Sequence, residues 1–168
     1  EGLTHNSLPA RGGRNHLQQL FAILANARTG GVATLRPALG RVGARTPRRS
    51  WVGVITDGME EPEVWLPALG AFARRGTDLR FFHLFDRQEW DLDYSQPALF
   101  FSPEGGEALP VDPKGARETF QAVVEEFVDE VRSGVTSWGG VYLPVGSDQA
   151  MDQVIARAVA GGSTGGRR

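Results

Sequence analysis

The stretch Trp51-Val-Gly-Val-Ile-Thr-Asp57 decides the fold class of this chain. Its first six residues are almost entirely apolar and show no alternation with polar residues, which is typical of a strand covered by helices on both faces. Asp57-Gly58 then ends the run with a turn signal. We therefore expect a parallel-sheet strand over Trp51 to Thr56, with Asp57 at its carboxyl end.

A helix and a second strand follow at the spacing of a βαβ unit. Glu61-Pro-Glu63 places acids and a proline in the first turn of a helix that should end at Arg74-Arg75-Gly76. Leu79 to Phe85 is then predicted to be a strand. Two such strands pair in parallel through a right-handed crossover. The fold class is therefore α/β, an open and mostly parallel sheet flanked by helices.

The rest of the chain predicts more helices, a hairpin insertion and one further strand. These are an amphipathic helix capped at Asn15, a short helix over 35–42, a β-hairpin around 103–106, a long helix after Pro113, a strand over 141–145, and a last helix capped by Ser147 or Asp148. Proline has no N–H for a ladder, so Pro144 places its strand at a sheet edge or a strand end. The Gly-rich segment 161–168 is predicted to be a disordered tail.

Three core strands are few for one domain, since a sheet usually has about five or six. A strand as apolar as Trp51 to Thr56 also needs neighbours on both sides. We therefore expect that strands preceding Glu1 complete the sheet. The 168-residue chain by itself should then expose one edge of this strand and self-associate.

Composition excludes several classes of site. The 168 residues contain no cysteine, which excludes disulfides, thiolate metal ligands and a cysteine nucleophile. No apolar run approaches the roughly 18 residues of a membrane span, and no signal-peptide pattern is present. We expect a cytoplasmic protein, or the soluble part of a protein that is anchored to a membrane by segments outside this chain.

Charge is distributed unevenly along the chain. Residues 1–50 carry eight arginines and a single acid, whereas residues 51–168 carry ten basic and nineteen acidic residues. An arginine-rich arm can bind nucleic acid through phosphate contacts. These arginines lie beside glycines and prolines, however, with no aromatic residue between them for base stacking. We expect solvated charge and no nucleic-acid partner, which a salt-dependent DNA-binding assay would check.

Polar residues follow each predicted core strand at its carboxyl end, where open α/β sheets bind ligands. They are Asp57, Asp86 and the corner Gly146-Ser147-Asp148. Asp57 is the strongest candidate, because a carboxylate at the end of a buried strand can bind a hard cation. The alternative is that Asp57 caps the helix that starts near Glu61, or simply begins the turn. A Mg²⁺-dependent hydrolase or phosphotransferase that uses Asp57 is the rival function.

Other catalytic signals are weak. The chain lacks the G-x-S-x-G, G-x-x-x-x-G-K-[ST] and G-x-G-x-x-G motifs. Its three histidines are far apart in sequence, and His83 lies in a predicted strand between Phe81 and Phe85, which favours a core-edge histidine with a hydrogen-bond partner over a ligand or base. The pairs Glu60/Glu61 and Glu125/Glu126 are expected to be solvated helix faces.

Several segments in order resemble a bacterial family called domain of unknown function fifty-eight. They are Val-Ile-Thr-Asp57-Gly, Glu61-Pro-Glu63, Leu-Arg-Phe-Phe-His-Leu-Phe-Asp86 with Glu89, Pro97-Ala-Leu-Phe, and Val111-Asp-Pro113. The likeness implies a domain over 12–160, the C-terminal part of a von Willebrand factor A-like domain. Members of the family are encoded beside MoxR-type AAA ATPases. The resemblance therefore implies a non-enzymatic module that binds a protein partner of this kind.

The resemblance also implies a metal-ion-dependent adhesion site. Such a site takes a D-x-S-x-S loop after the first strand, a threonine from a later loop and an aspartate after the fourth strand. Asp57 matches the aspartate, and Thr34 is the hydroxyl nearest to the expected threonine, although Ala33 occupies its place. The D-x-S-x-S loop is absent from these residues. Mg²⁺ binding by this chain alone is therefore expected to be weak or absent.

Overall fold

A computed structural model describes residues 8–9, 11–27, 34–94, 96, 98–100 and 109–160. The chain divides into two compact units. One comprises Glu1–Ala33 with Ser102–Gly106, and the other comprises Thr34–Phe101 with Glu107–Arg168. The predicted tail over 161–168 and the turn of the predicted hairpin lie outside the described residues.

The described part of the first unit is mainly helix α1, Arg14–Ala25. Its apolar residues recur at helical spacing as predicted, and none of its residues is buried. The predicted cap at Asn15 is wrong, because Gly13 occupies the N-cap position and Asn15 already lies inside the helix. Gly13 has a φ of 108°, a backbone conformation that glycine adopts without a steric cost.

The second unit contains a three-stranded parallel sheet in the order β1, β2, β5. The strands are β1 (Trp51–Thr56), β2 (Asp78–Phe85) and β5 (Val141–Gly146). Residues Val54, Phe81 and Tyr142 lie side by side across it. Both predicted βαβ strands are confirmed, and within the described residues the third lies at an edge of the sheet, as Pro144 indicated. A separate antiparallel hairpin pairs β3 (Ala98–Phe100) with β4 (Leu109–Val111).

The helices of this unit precede, connect and follow the strands. They are α2 (Leu35–Arg45), α3 (Pro62–Trp65), α4 (Gly70–Ala73), α5 (Arg87–Trp90), α6 (Pro113–Ser137) and α7 (Met151–Ala160). The single helix predicted after Glu61 is interrupted by a 3₁₀ turn over Leu66–Leu69. Pro67 accounts for the interruption, because it has no N–H to continue the α-helical bonding.

None of the helices in the described part of the chain is both long and apolar enough to cross a membrane.

One face of the sheet is covered by α3, α4, the 3₁₀ turn and α6. The Trp65 ring stacks on Phe81 of β2 at 5.2 Å between centroids, and Val131 and Val135 of α6 join the same buried cluster. Fully burying each such side chain contributes about 1.5–3 kcal/mol. This face holds the main core of the unit.

The opposite face is covered over β5 by α7, whose Val154 and Ala158 are buried. Arg80 of β2 is 2% exposed and anchors this helix. Its Nε donates to the carbonyl of Ala158 at 3.1 Å, and its Nη2 donates to Asp78 at 3.1 Å. A cation suits this place, because the C-terminal carbonyls of a helix carry a partial negative charge.

The same face is uncovered over β1. Trp51 is 58% exposed and Ile55 is 68% exposed, whereas Val54 on the other face is buried. The expectation that this strand is covered on both faces is therefore wrong for the described residues. Among those residues β1 also pairs with β2 alone, which leaves its other edge without a strand. Apolar composition indicated a buried strand, but coverage depends on how many helices pack on each face.

Two glycines in helices make a matched pair for testing the core. A Cβ atom on Gly134 of α6 would lie 2.5–3.0 Å from three carbons of the Leu66 side chain, whereas a Cβ atom on Gly40 of α2 would meet nothing within 4 Å. We predict that Gly134→Ala lowers the free energy of unfolding by about 1–3 kcal/mol through overpacking. Gly40→Ala should raise it by up to about 1 kcal/mol. Urea unfolding of both variants checks this, and equal shifts would contradict the close packing of α6 on the 3₁₀ turn.

Candidate functional site

The carboxyl ends of the parallel strands bring the predicted site residues to one edge of the sheet. Asp57 follows β1, Asp86 follows β2, and Ser147 follows β5. Because parallel strands all end at the same edge, the order of the strands places Asp86 in the middle. This edge is the candidate functional site.

Asp57 is exposed directly after the last residue of β1. Its carboxylate makes one contact within the described residues, with the Thr56 hydroxyl at 3.5 Å, which is at the limit of a hydrogen bond. The alternative that Asp57 caps the next helix is wrong, because that helix begins at Pro62 with Glu61 at its N-cap position. The charge of Asp57 is thus not used by helix α3.

The backbone at Asp57 is held from inside the sheet by His83. The Nε2 atom of this fully buried histidine lies 2.8 Å from the Asp57 carbonyl oxygen, and its Nδ1 lies 2.7 Å from the Tyr142 hydroxyl. A carbonyl can only accept, so in the neutral ring Nε2 carries the proton and Nδ1 accepts from Tyr142. The prediction that His83 has a hydrogen-bond partner is confirmed, although the ring is fully buried and not at the edge of the core.

Burial keeps both members of this pair uncharged. Desolvation lowers the pKa of His83, although the bond to the Asp57 carbonyl and the nearby carboxylate oppose the shift. Desolvation likewise raises the pKa of Tyr142 to about 12. Aromatic rings of Trp90 and Phe127 pack around the imidazole at 5.4 and 5.7 Å. His83 is therefore a structural link between strands.

Gly58 turns the chain away from the strand. It is buried with a φ of 62°, and its N–H donates to the Thr56 hydroxyl at 3.0 Å. A Cβ atom here would lie 3.5 Å from His83 and would sit on a left-handed backbone that other residues adopt at a cost. The turn and the histidine together fix the direction in which Asp57 leaves the sheet.

Glu60 connects this turn to helix α2. Its carboxylate accepts from the backbone N–H of Leu35, and its own carbonyl accepts from the Trp65 indole at 3.3 Å. Glu60 is half-buried, so the expectation that it belongs to a solvated helix face is wrong. The one signal in the sequence was that α2 has no acid in its own first turn, so an acid from elsewhere matches its positive end.

Thr34 occupies the N-cap position of α2, next to the residue that Glu60 binds. It is exposed and its side chain makes no capping bond to the helix. Within the described ranges, no group of three or more His, Cys, Asp or Glu side chains could hold a metal ion. Thr34 and Asp57 offer two oxygen side chains, whereas Mg²⁺ takes six ligands. The described residues therefore do not make a complete magnesium site.

Asp86 and Ser147 form a separate pair that joins the ends of β2 and β5. The Ser147 hydroxyl donates to Asp86 at 2.7 Å, and the other oxygen of Asp86 accepts from the N–H of Gln88 at 2.8 Å. These bonds, led by that of Ser147, lower the pKa of Asp86. The predicted cap at Ser147 or Asp148 is wrong, because α7 begins only at Met151. The pair lines an open cleft of about 410 Å³.

Comparison with known proteins gave one match. A family model described as "Protein of unknown function DUF58" matches residues 2–129, about three quarters of the chain. No curated protein and no solved structure matches.

The buried imidazole predicts a specific pH dependence of stability. Burial in the folded state lowers the pKa of His83 below its ordinary value of 6.5. The contribution of the neutral ring to the free energy of unfolding is therefore complete above pH 6.5. The contribution should decrease as the pH falls below 6.5, where the unfolded chain binds the proton first. His83→Phe removes both hydrogen bonds and should cost about 1–3 kcal/mol at pH 8.

The test is urea unfolding of the native chain and His83→Phe between pH 8 and pH 5. The difference in unfolding free energy between the native chain and His83→Phe should become smaller as the pH falls. His16→Gln, on α1, serves as the control for replacing a histidine elsewhere in the chain. A constant difference over this range would show that the buried ring does not titrate as described.

Proposed function

Since the chain belongs to the family described as protein of unknown function DUF58, we propose that it is a non-enzymatic protein-interaction module of the von Willebrand factor A type. The proposal includes further strands beyond the uncovered edge of β1 and a binding surface around Asp57. The open parallel sheet with helices on it supports this type. The finer assignment rests on the resemblance of the motifs.

One observation carries the proposal. The core binds Asp57 through its carbonyl oxygen, by way of His83, and leaves the carboxylate exposed. An acid on a backbone that is already fixed loses little conformational freedom when it binds a partner, which favours binding. The carboxylate of Asp86, by contrast, is engaged by Ser147 and by a backbone N–H.

In the proposed site Asp57 contributes one oxygen ligand to a divalent cation, Mg²⁺ in the first instance. Thr34 is the second proposed ligand, because α2 begins beside the turn that follows Asp57. The remaining ligands come from outside the residues described here, so the site is shared. Carboxylate and hydroxyl oxygens are the donor types that hard cations prefer.

By the same resemblance, the proposed partner is a MoxR-type AAA ATPase in the cytoplasm. The candidates for acid–base catalysis near this edge are occupied by structural bonds. His83 is buried with both ring nitrogens bonded, and Ser147 donates its proton to a carboxylate whose lowered pKa makes it a weak base. Binding therefore accounts for the arrangement better than hydrolysis does.

We predict that Asp57→Asn weakens binding of a MoxR-type ATPase from the same source at least tenfold in the presence of Mg²⁺. The unfolding free energy should change by less than about 0.5 kcal/mol, because the carboxylate is exposed and nearly unbonded. Asp91→Asn is the matched control, since Asp91 is an exposed acid on the same edge of the sheet. Surface-immobilised binding and thermal melts measure the two effects.

Equal losses for the two variants would point to general charge attraction and contradict a specific site at Asp57. A titration of the chain with Mg²⁺ alone tests the shared cation. We expect little or no heat in calorimetry, and tight binding by the isolated chain would contradict an incomplete site.

A further inference from the structure

The three parallel strands begin at the edge of the sheet that lies opposite the candidate site. Each strand is entered there by a short connection from the preceding helix, over 46–50 before β1, 74–77 before β2 and 138–140 before β5. Because the three strands run in the same direction, these connections lie at one end of the sheet. This end is termed the amino edge.

Four exposed arginines lie at the amino edge, in the first two connections or at the helix end that leads into them. They are Arg45, Arg48, Arg49 and Arg74, and together they are termed the arginine patch. In the described part of the chain, none of their side chains makes an ion pair or a hydrogen bond. Asp78, at the start of β2, is already paired with the buried Arg80. The patch therefore presents uncompensated positive charge.

Hydrogen bonds hold the two connections together. The N–H of Arg49 donates to the Arg75 carbonyl at 3.1 Å. The guanidinium of the half-buried Arg75 donates at 2.6 Å to the carbonyl of Thr46, directly after α2. Arg75 is therefore a positioning residue, and the four exposed arginines are brought together by the fold itself.

The backbone at Arg49 indicates that its side chain has a use. Its φ is 59°, in the left-handed region that glycine adopts without a steric cost and arginine does not. Stability of the turn alone would favour glycine at this position. Residues in such conformations cluster at sites that bind or react, where the side chain offsets the cost.

An aromatic side chain from the third connection lies beside the patch. A Cβ atom on Gly70 would be 3.0 Å from two ring carbons of Trp138 and 3.2 Å from Nη1 of Arg74, so the ring and the guanidinium lie next to each other. Trp138 is 37% exposed, and its indole N–H has no partner among the described residues. A ring with an apolar body and a free N–H suits the boundary between water and lipid.

We propose that the amino edge is a peripheral contact surface for an anionic lipid membrane. The arginines pair with the phosphates of the headgroups, which the planar guanidinium can bind through two N–H groups at once. Trp138 lies at the level of the headgroups and donates its N–H there. Clusters of about four to eight basic residues are typical of surfaces that bind anionic lipids.

The distribution of charge favours a flat partner. The whole chain has a net charge of -2, so a polyanion is attracted only by the patch. The aspartates of the candidate site lie at the other end of β2, roughly 25 Å away, whereas charges are screened over about 8 Å. A membrane that meets the amino edge does not reach them. A nucleic-acid strand typically stacks on several aromatic rings, and in the described residues Trp138 is the ring beside Arg74.

This inference does not rest on the proposed function, because lipid contact needs neither a cation nor a protein partner. Contact at the amino edge also leaves the opposite edge, with Asp57, free to bind.

The test is co-sedimentation of the full 168-residue chain with lipid vesicles in EDTA. We expect binding to vesicles that contain about 40% phosphatidylglycerol in phosphatidylcholine and none to phosphatidylcholine alone. The bound fraction should fall as NaCl rises from about 50 to about 300 mM, because exposed charges are screened by salt.

Two variants separate lipid binding from stability. Arg48→Glu should raise the vesicle dissociation constant about tenfold or more, and Arg49→Gly about fivefold, since each arginine near an anionic surface contributes about this factor. Arg49→Gly should not lower the midpoint of urea unfolding, because glycine adopts the backbone at 49 without strain. Arg36→Glu is the matched control and should change binding less than about twofold, since α2 places Arg36 roughly 14 Å from Arg45.

Tryptophan fluorescence tests the orientation of the bound chain. Lipids with brominated chains quench rings that lie near the membrane. Quenching of the native chain on anionic vesicles should be smaller in Trp138→Phe. It should be unchanged in Trp90→Phe, because Trp90 follows β2 at the opposite edge.

Three results would overturn the proposal. The first is no binding to anionic vesicles at low salt. The second is an equal effect of Arg48→Glu and Arg36→Glu, which would show general charge attraction. The third is tighter binding to single-stranded DNA or to a polyglutamate peptide than to the vesicles at the same salt, which would assign the patch to another polyanion.

Discussion

The hydrogen bonds of the buried His83 are the interaction on which the sheet and its candidate site depend. The ring lies on the central strand and reaches the backbone after β1 on one side and the Tyr142 hydroxyl of β5 on the other. Three strands are thereby linked by one neutral side chain in a setting of packed aromatic rings. Losing the ring would leave the Tyr142 hydroxyl without its acceptor and the Asp57 carbonyl without its donor, which is more costly than losing contact area.

Hydrogen bonding also explains why two aspartates at the same edge of the sheet differ in the availability of their carboxylates. Asp57 gives its carbonyl to the core and keeps its carboxylate exposed, whereas Asp86 gives its carboxylate to Ser147 and to the start of a helix. Position after a strand is common to both. Only Asp57 has a carboxylate that is available to a partner, and this distinguishes a binding residue from a structural one.

Helices cover the two faces of the sheet unequally. Helices cover one face completely enough to bury Phe81 and Trp65, while α7 covers only β5 on the other face. An exposed apolar strand beside an exposed acid is a surface on which another chain can gain hydrophobic contact and charge pairing together.

The sequence by itself determined the parallel strands, the helices between them, the position of Asp57 and the burial of His83. These follow from local signals, namely apolar runs, turn residues and proline positions, which act over a few residues. It did not determine which face of β1 is covered, the role of Glu60 at the start of α2, or the bond between Ser147 and Asp86. Those features join residues that are 25 and 61 positions apart. Only the tertiary structure decided them, because hydrogen bonds and coverage depend on which segments meet in space.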